Sequence, residues 1–267
     1  MPDGLTVEDL AGELGELGLR AGDDVLVHSS LSSLGHVDGG APAACEALVR
    51  AVSPGGTVCV PTLTGSRKYT ANNPPRFSPS DPCYTGAIPE AMRARPGAVR
   101  SLHPTHSVTC VGPRAEELAL GHENCATPCG EGSPYVRLAR SGGRLLFIGC
   151  DLEVNTTFHS AEELAGLDYV CQRTPARATV LAPEGEKSVS VRLHRYGHAR
   201  RFSRAEGLLE KAGALTRGTV GEASCMLVDA GPMLEIVLAK LRDDPEFLLA
   251  ESERGKGLTE MAVDPED

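Results

Sequence analysis

The chain has few aromatic residues and no excess of positive charge. Only 4% of its 267 residues are aromatic, and none is tryptophan. Lys and Arg number 26 against 36 Asp and Glu, which gives a net charge of -10. Sequence-independent binding to nucleic acid needs a basic surface that neutralises phosphates, so the composition argues against it. A cationic small molecule suits an acidic chain better.

The sequence also lacks a secretion signal, a membrane span and a disulfide framework. An acid stands at position 3, where a signal peptide needs positive charge before an apolar run. Apolar stretches such as 145–149 are far too short to cross a bilayer. The nine cysteines contain no C-x-x-C pair, in a chain too long for a small stapled scaffold. We therefore expect a reduced, cytoplasmic protein that binds neither membranes nor nucleic acid.

The order of predicted elements indicates an α/β protein. A strand at 24–28, a serine-rich loop at 29–40, a helix at 42–52 and a strand at 57–61 make a βαβ unit, which is typical of a parallel sheet. The other predicted elements are helices at 5–19, 86–95, 113–120, 133–140, 156–167, 203–211 and 232–241, strands at 107–111, 144–149 and 220–228, and a β-hairpin of 178–181 with 188–193.

The chain is expected to form one domain over residues 1–267. Its character changes near residues 172–178, and the charged tail at 252–267 is expected to be frayed. The proline-rich stretch 62–85 is predicted to be a functional or mobile loop. No apolar stripe marks an interface, so the sequence leaves the oligomeric state open.

The first candidate site is the serine-rich segment after the first strand. His28 ends that strand, and Ser29, Ser30, Ser32 and Ser33 follow. Ligands of open α/β sheets bind outside the carboxyl ends of strands, and serine hydroxyls with free backbone N–H groups suit phosphate oxygens. The glycines fit neither a Walker loop nor a dinucleotide fingerprint. Composition alone fits a solvated turn equally, so it leaves both interpretations open.

The second candidate site is the segment N-T-T-F-H-S-A-E-E at 155–163, after a predicted strand. Its Asn or first Thr is suited to cap a helix. His159 then lies in the first turn, with Glu162 and Glu163 on neighbouring faces. An imidazole oriented by a carboxylate is what a general base requires. The alternative is a capped helix with an incidental histidine and two acids near its positive end.

The third candidate is a group of histidines with one thiol. His103 and His106 stand in H-P-T-H, and His122 and Cys129 follow. These residue types bind zinc, but their spacing matches no known finger type. We therefore assign no metal ligands, and keep zinc only as an alternative.

Six ordered motifs together resemble the aminoglycoside 3-N-acetyltransferase family, whose antibiotic N-acetyltransferase fold differs from the commoner acetyltransferase superfamily. The motifs are V-H-S-S-L-S-S-L-G at 27–35, G-G-T-V-C-V-P-T at 55–62, T-G-A-I-P-E-A-M-R at 85–93, R-S-L-H-P-T-H-S-V at 100–108, G-E-G-S-P-Y at 130–135 and N-T-T-F-H-S-A-E-E at 155–163. They extend the resemblance over nearly the whole chain. It implies a three-layer α/β/α sandwich with a mostly parallel central sheet and a C-terminal β-hairpin and helical extension.

The resemblance also implies an acyltransferase connected with antibiotic resistance. Acetyl-CoA is the implied co-substrate, and the acceptor is a primary amine of an aminoglycoside or a related small molecule. The implied catalytic base is His159 with Glu162 as its acidic partner. Direct transfer needs a donor for the thioester oxygen, for which the hydroxyls of Thr156 and Thr157 are candidates. The implied donor-site residues are His28, Ser29, Ser30, Leu31, Ser32, Ser33, Pro61, Thr62, Arg100, Ser101 and His103.

One segment departs from what a polycationic acceptor requires. Residues 194–201 hold five histidines or arginines, and the loop 62–85 offers Asp81 as its only acid. Positive side chains at the acceptor would repel an aminoglycoside unless they face solvent. The acceptor is therefore less well defined by the sequence than the donor.

Two other functions remain open from the residues alone. One is a metal-assisted hydrolase that uses His103, His106, His122 and Cys129. The other is a non-catalytic CoA-binding protein on the same scaffold, against which the presence of both His159 and Glu162 argues.

Overall fold

Ten strands and eight α-helices form within residues 4–258, 260–262 and 264, which the computed structural model describes. The strands are β1 Asp24–Ser29, β2 Thr57–Pro61, β3 Arg76–Phe77, β4 Val99–Arg100, β5 Val108–Val111, β6 Arg144–Ile148, β7 Ala176–Ala182, β8 Gly185–Val191, β9 Leu215–Val220 and β10 Ala223–Asp229. The helices are α1 Val7–Leu17, α2 Gly40–Val52, α3 Ala87–Arg93, α4 Ala115–Ala119, α5 Pro134–Arg140, α6 Thr157–Leu164, α7 Glu206–Lys211 and α8 Ala230–Asp243. Short 3-10 helices lie at Leu31–Leu34, His122–Asn124, Leu152–Val154, Phe202–Ala205 and Glu260–Ala262.

The central sheet has seven strands in the order β4-β5-β2-β1-β6-β10-β9. Only β1 with β2 and β1 with β6 pair in parallel, and the other four pairings are antiparallel. A parallel neighbour needs a crossover such as α2, whereas β9 and β10 meet through a tight turn in which Gly221 has φ +55°. The α/β class is confirmed, but the prediction of a mostly parallel sheet is wrong outside its three central strands.

The two faces of the sheet bury two separate apolar cores. In β1, Val25 and Val27 pack into the core beneath α1, α2 and α3, while Leu26 points to the core of α4, α5, α6 and α8. Successive side chains of a strand point to opposite faces of the sheet. Because these three consecutive residues are all apolar, helices must cover both faces. Burying each large apolar side chain contributes about 1.5–3 kcal/mol.

A second sheet has three strands in the order β3-β7-β8. Its strand β7 begins within the predicted change at 172–178. The predicted hairpin corresponds to β7 and β8, which pair in antiparallel fashion. The loop 62–85 contributes β3 to this sheet, parallel to β7. The strand predicted at 220–228 corresponds to β10, but its first residues end β9 and form the turn at Gly221, so the hairpin of β9 and β10 was not predicted.

Part of the C-terminal tail is packed rather than frayed. The Asp264 carboxylate accepts hydrogen bonds from the backbone N–H groups of Arg173 and Thr174 and pairs with Arg195 at 2.7 Å. Met261 is buried in a small cluster with Tyr169. The expectation of a frayed tail is therefore wrong at these positions, and residues 259, 263 and 265–267 lie outside the described residues. The prediction of one domain over the whole chain stays a prediction.

No helix in the described part of the chain is long and apolar enough to cross a membrane.

Candidate active site

Three adjoining cavities lie at the end of the central sheet where the carboxyl ends of β1 and β6 meet. The first, of about 640 Å³, lies against the serine-rich segment. The second, of about 240 Å³, shares Ser29 with the first and is also lined by His28 and Pro61. The third, of about 340 Å³, shares Tyr84 and Thr156 with the second. His159 lines the third cavity, so it lies at the same end of the sheet as the serine segment.

The end of β1 presents buried polar atoms without partners. The His28 ring stacks on Phe147, with 5.1 Å between centroids and 8° between planes. Burial lowers the pKa of His28 to about 3, which keeps it neutral. Among the described residues, nothing hydrogen-bonds to Nε2 of His28 or to Oγ of Ser29. Because unpaired buried polar atoms are costly, their position beside a cavity indicates that a ligand completes the site.

The serine segment divides between two directions. The backbone N–H of Ser30 donates to the Ile148 carbonyl at 2.9 Å, which extends the β1–β6 pairing and fixes the start of the turn. Ser29, Ser30, Leu31 and Ser32 line the first cavity. Ser33 points away, and its hydroxyl donates to the Gly149 carbonyl at 3.4 Å.

Four other predicted donor-site residues lie away from these cavities. Thr62, Arg100, Ser101 and His103 are all buried, and none lines the three cavities. Arg100 donates to Ser107 Oγ and to the Thr62 carbonyl at 3.0 and 2.8 Å. Arg100 and Ser101 hydrogen-bond within the segments around β4 and β5, and the donor-site role expected of these four residues stays a prediction.

His159 and Glu162 form a close pair at the third cavity. Nδ1 of His159 lies 2.6 Å from Oε2 of Glu162, one helical turn away on α6. A carboxylate only accepts, so Nδ1 carries the hydrogen and Nε2 is the free basic nitrogen. The His159 side chain is 25% exposed, whereas that of Glu162 is fully buried. The imidazole also contacts the Phe202 ring edge-on, with 5.2 Å between centroids.

Glu162 stays ionised because of two partners from distant segments. Nε of Arg200 and the hydroxyl of Tyr169 donate to its Oε1 at 3.0 and 3.1 Å. Burial alone raises the pKa of Glu162, but the Arg200 guanidinium and the His159 hydrogen bond lower it to about 2. Arg200 in turn lies over the Tyr169 ring, 5.0 Å from its centroid. An ionised carboxylate therefore faces His159 over the whole physiological pH range.

The next residue on α6 forms a second pair of the same kind. Oε1 of Glu163 lies 2.5 Å from Nε2 of His194, and both side chains are less than a tenth exposed. No cation is paired with Glu163 among the described residues, and burial raises its pKa to about 7. Burial also lowers the pKa of His194 well below its ordinary value. The His194 ring meets His159 edge-on, with 4.7 Å between centroids.

The sequence matches the family model described as aminoglycoside 3-N-acetyltransferase over residues 26–242. Aminoglycoside N(3)-acetyltransferase IV of Salmonella sp is 30% identical over 248 residues, which cover 92% of this chain and 91% of that protein. The chain belongs to the aminoglycoside 3-N-acetyltransferase family.

Other relatives match over different spans. Aminoglycoside N(3)-acetyltransferase III of Salmonella sp is 37% identical over 178 residues, and this alignment spans only 62% of that protein. Among solved structures, AAC(3)-IVa in complex with a gentamicin has a TM-score of 0.81 and 27% identity and covers 98% of both chains. A binary complex of AAC-IIIb with CoASH has a TM-score of 0.75 and 27% identity, and covers 90% of this chain and 97% of that one.

In this family member, Thr156 and Thr157 have different environments. Thr156 lines both the second and the third cavity. Thr157 is fully buried and lines neither, and its hydroxyl has no partner among the described residues. Its backbone N–H donates to Oδ1 of Asn155 at 3.0 Å, so Asn155 supplies the predicted cap of α6. Of these two threonines, Thr156 is the one that lines the cavities.

Arg195 and Arg200 of the cationic segment 194–201 line the third cavity, and each is paired with an acid. Arg200 pairs with Glu162, and Arg195 pairs with Asp264. Asp81 hydrogen-bonds to the backbone of Ser78 and does not line the third cavity. The repulsion expected from sequence is therefore largely cancelled by acids that lie far away in the chain.

The four residues weighed as zinc ligands do not form one cluster. Nε2 of His122 donates to the Pro128 carbonyl at 2.8 Å, and its Nδ1 lies 2.9 Å from the Ser101 hydroxyl. Nδ1 of His103 accepts from the backbone N–H of His106 at 3.0 Å. His106 and Cys129 do come together, but with His194 instead.

Sequence reasoning missed the partners of the two glutamates. Nothing in the sequence connects Tyr169 or Arg200 to Glu162, since these residues meet only when separate segments pack together. The adjacent acids Glu162 and Glu163 indicated that a carboxylate lies close to His159. Nothing in the sequence indicated that Glu163 pairs with His194 instead.

Proposed function

We propose that the protein transfers the acetyl group of acetyl-CoA directly to a primary amine of an aminoglycoside or a related amino compound. The observation that carries this proposal is the position of His159. Its free nitrogen lies in a cavity that continues, past Thr156, to the unpartnered polar atoms at the end of β1. A base and a donor site are thus on one continuous path. The family membership and the CoASH complex of a related protein support the same interpretation.

We assign acetyl-CoA to the first and second cavities. The hydroxyls of Ser30 and Ser32 lie 3.2 Å apart at the wall of the first cavity, where they suit phosphate oxygens. The unpaired Oγ of Ser29 and Nε2 of His28 then serve the pantetheine arm. Pro61 supplies an apolar wall. The thioester then lies close to Thr156.

The acceptor amine occupies the third cavity in its neutral form and loses one proton as its nitrogen attacks. His159 Nε2 takes this proton, and the Glu162 carboxylate stabilises the imidazolium that results. The amine nitrogen bonds to the thioester carbon, and the oxygen that gains charge receives a hydrogen bond from the Thr156 hydroxyl. Collapse breaks the carbon–sulfur bond, and the departing CoA thiolate takes the proton from His159. The products are the acetamide and free CoA.

The acceptor cavity offers one exposed acid for a cationic substrate. Glu153 lines it and has no paired cation among the described residues, while its oxygens accept from the backbone N–H groups of Phe202 and Ser203. Arg67 lines the same cavity. This near balance favours an acceptor with fewer positive charges than the most basic aminoglycosides. A cytoplasmic location agrees with the use of acetyl-CoA and with nine free cysteines, and drug resistance is the expected biological role.

The test is release of CoA thiol from acetyl-CoA in the presence of a panel of aminoglycosides and simpler diamines. The wild-type protein should release thiol with at least one amine, and acetyl-CoA should raise its Tm. His159→Ala should lose turnover but keep the rise in Tm, which a misfolded variant would not. Absence of turnover with every amine would contradict the proposal.

A further inference from the structure

A cluster of metal-binding side chains lies in the wall of the acceptor cavity. The ligand atoms of His106, Cys129 and His194 lie within 4.8 Å of one another, and all three residues are buried. A second set, with the same spacing, joins His194 to Glu163 and Cys171. The reaction proposed above uses none of these five residues.

The hydrogen bonds around the two histidines already leave one nitrogen of each free. Nδ1 of His106 lies 2.9 Å from the Thr105 hydroxyl, so Nε2 is available. Nε2 of His194 is paired with Glu163, so Nδ1 is available. Glu163 is itself held by the backbone N–H of Cys129, at 3.0 and 3.1 Å from its two oxygens. A histidine ligand whose other nitrogen is held by a carboxylate is the usual arrangement at zinc sites.

We propose that His106, Cys129 and His194 bind a zinc ion, with Glu163 as the carboxylate that orients His194. Two imidazoles and a thiolate are ligands that zinc prefers over magnesium or calcium. Zinc bonds of about 2.0 Å to nitrogen and 2.3 Å to sulfur place ligand atoms about 3.5 Å apart, so side-chain movements of about 1 Å close the cluster on the ion. His106 and His194 line the third cavity, so the fourth position opens toward it.

The site joins three segments that no common strand or helix holds together. His106 precedes β5, Cys129 precedes α5, and His194 follows β8. A bound ion therefore cross-links these three segments and stabilises the wall of the acceptor cavity. It takes no part in the acetyl transfer, so the zinc site and the proposed function can fail independently.

The first experiment measures bound zinc in the full chain, expressed with zinc and purified without chelator. The wild type should hold about one equivalent by elemental mass spectrometry, as expected of a preformed site with three protein ligands. Cys129→Ser should lose this zinc. Cys45→Ser is the matched control, since Cys45 is equally buried but packs in the core on the opposite face of the sheet, and it should keep the zinc. Equal zinc content in the wild type and Cys129→Ser would overturn the proposal.

The second experiment does not depend on whether a variant folds. Cobalt added to the wild-type protein after chelator treatment should give a thiolate-to-cobalt charge-transfer band in the near ultraviolet and a tetrahedral pattern in the visible. Zinc should then displace the cobalt and raise the Tm. Absence of the thiolate band would overturn the assignment of Cys129 as a ligand. Acetyl-CoA turnover, measured on the same samples, reports separately on the proposed function.

Discussion

Two adjacent glutamates of α6 each pair with a histidine, Glu162 with His159 on the same helix and Glu163 with His194 after β8. The surroundings of the two pairs differ. His159–Glu162 faces a cavity on the histidine side, and on the glutamate side it receives Arg200 and Tyr169. His194–Glu163 lies deeper, and its carboxylate accepts from the neutral Cys129 backbone N–H. Burial disfavours the charged form of both glutamates, and among the described residues Glu162 is paired with an arginine whereas Glu163 is not.

Under the proposed mechanism, environment rather than residue type decides which pair acts as the base. A cation beside Glu162 keeps it ionised at a pKa of about 2, while Glu163, without one, has a pKa of about 7. An ionised carboxylate stabilises the imidazolium that a base becomes during the reaction. Of the two pairs, the first therefore has the electrostatics that the proposed proton removal requires.

The largest expected effect separates the two histidines. His159→Asn removes the base, and kcat should fall by about 10²–10⁴. His194→Asn leaves the base in place, and kcat should fall much less. Steady-state kinetics with acetyl-CoA and a saturating amine would measure both. If both variants lost the same fraction of kcat, the distinction between the pairs would be wrong.

Removal of the cation should make the first pair resemble the second. Arg200→Met leaves the buried Glu162 carboxylate without its charged partner, and the free energy of unfolding should fall by about 3–5 kcal/mol. Urea denaturation would measure this loss.

A matched arginine pair on the surface provides the control. Arg217 pairs with Glu206 and, at 3.0 Å, with Glu210, and between a third and a half of each side chain is exposed. Arg217→Met should cost less than about 1 kcal/mol. Equal losses in the two variants would show that burial does not govern the contribution of Arg200.

The residues proposed for the donor side could be located from sequence because they are local. His28 and Ser29 end β1 and Ser30 follows it, and the end of a parallel strand fixes where such residues lie. The helix that carries His159 was also predictable from its capping residue and its spacing to Glu162. Arg100 and Ser101 hydrogen-bond to Ser107 and Val108, and their expected place at the donor site stays a prediction.

The acceptor side could not be predicted because long-range packing builds it. Arg200 reaches Glu162 across 38 positions in the chain, and Asp264 neutralises Arg195 only after the tail has folded against residues 173 and 174. From the sequence alone, the positive side chains at 194–201 were expected to repel a cationic acceptor. The sequence holds no signal for which acid neutralises which base.

Low pH should weaken the first pair through Glu162. Its folded-state pKa of about 2 lies below the ordinary value of 4.5, so its contribution to stability is present above about pH 4.5 and is lost as the pH falls toward 2. A shift of this size corresponds to on the order of 3 kcal/mol. Unfolding free energies of the wild type and Glu162→Gln, measured between pH 2 and 7, should converge toward low pH. A constant difference between them would contradict the lowered pKa.

The smallest effect concerns the hydroxyl that Tyr169 donates to Glu162. This hydroxyl also lies 3.3 Å from the Pro245 carbonyl, so Tyr169→Phe removes one strong and one weak hydrogen bond while the ring stays packed under Arg200. The free energy of unfolding should fall by about 1–2 kcal/mol. Because Arg200 still holds the carboxylate ionised, kcat should change by less than about threefold. A loss of kcat as large as that of His159→Asn would mean that the tyrosine, rather than the arginine, distinguishes the first pair from the second.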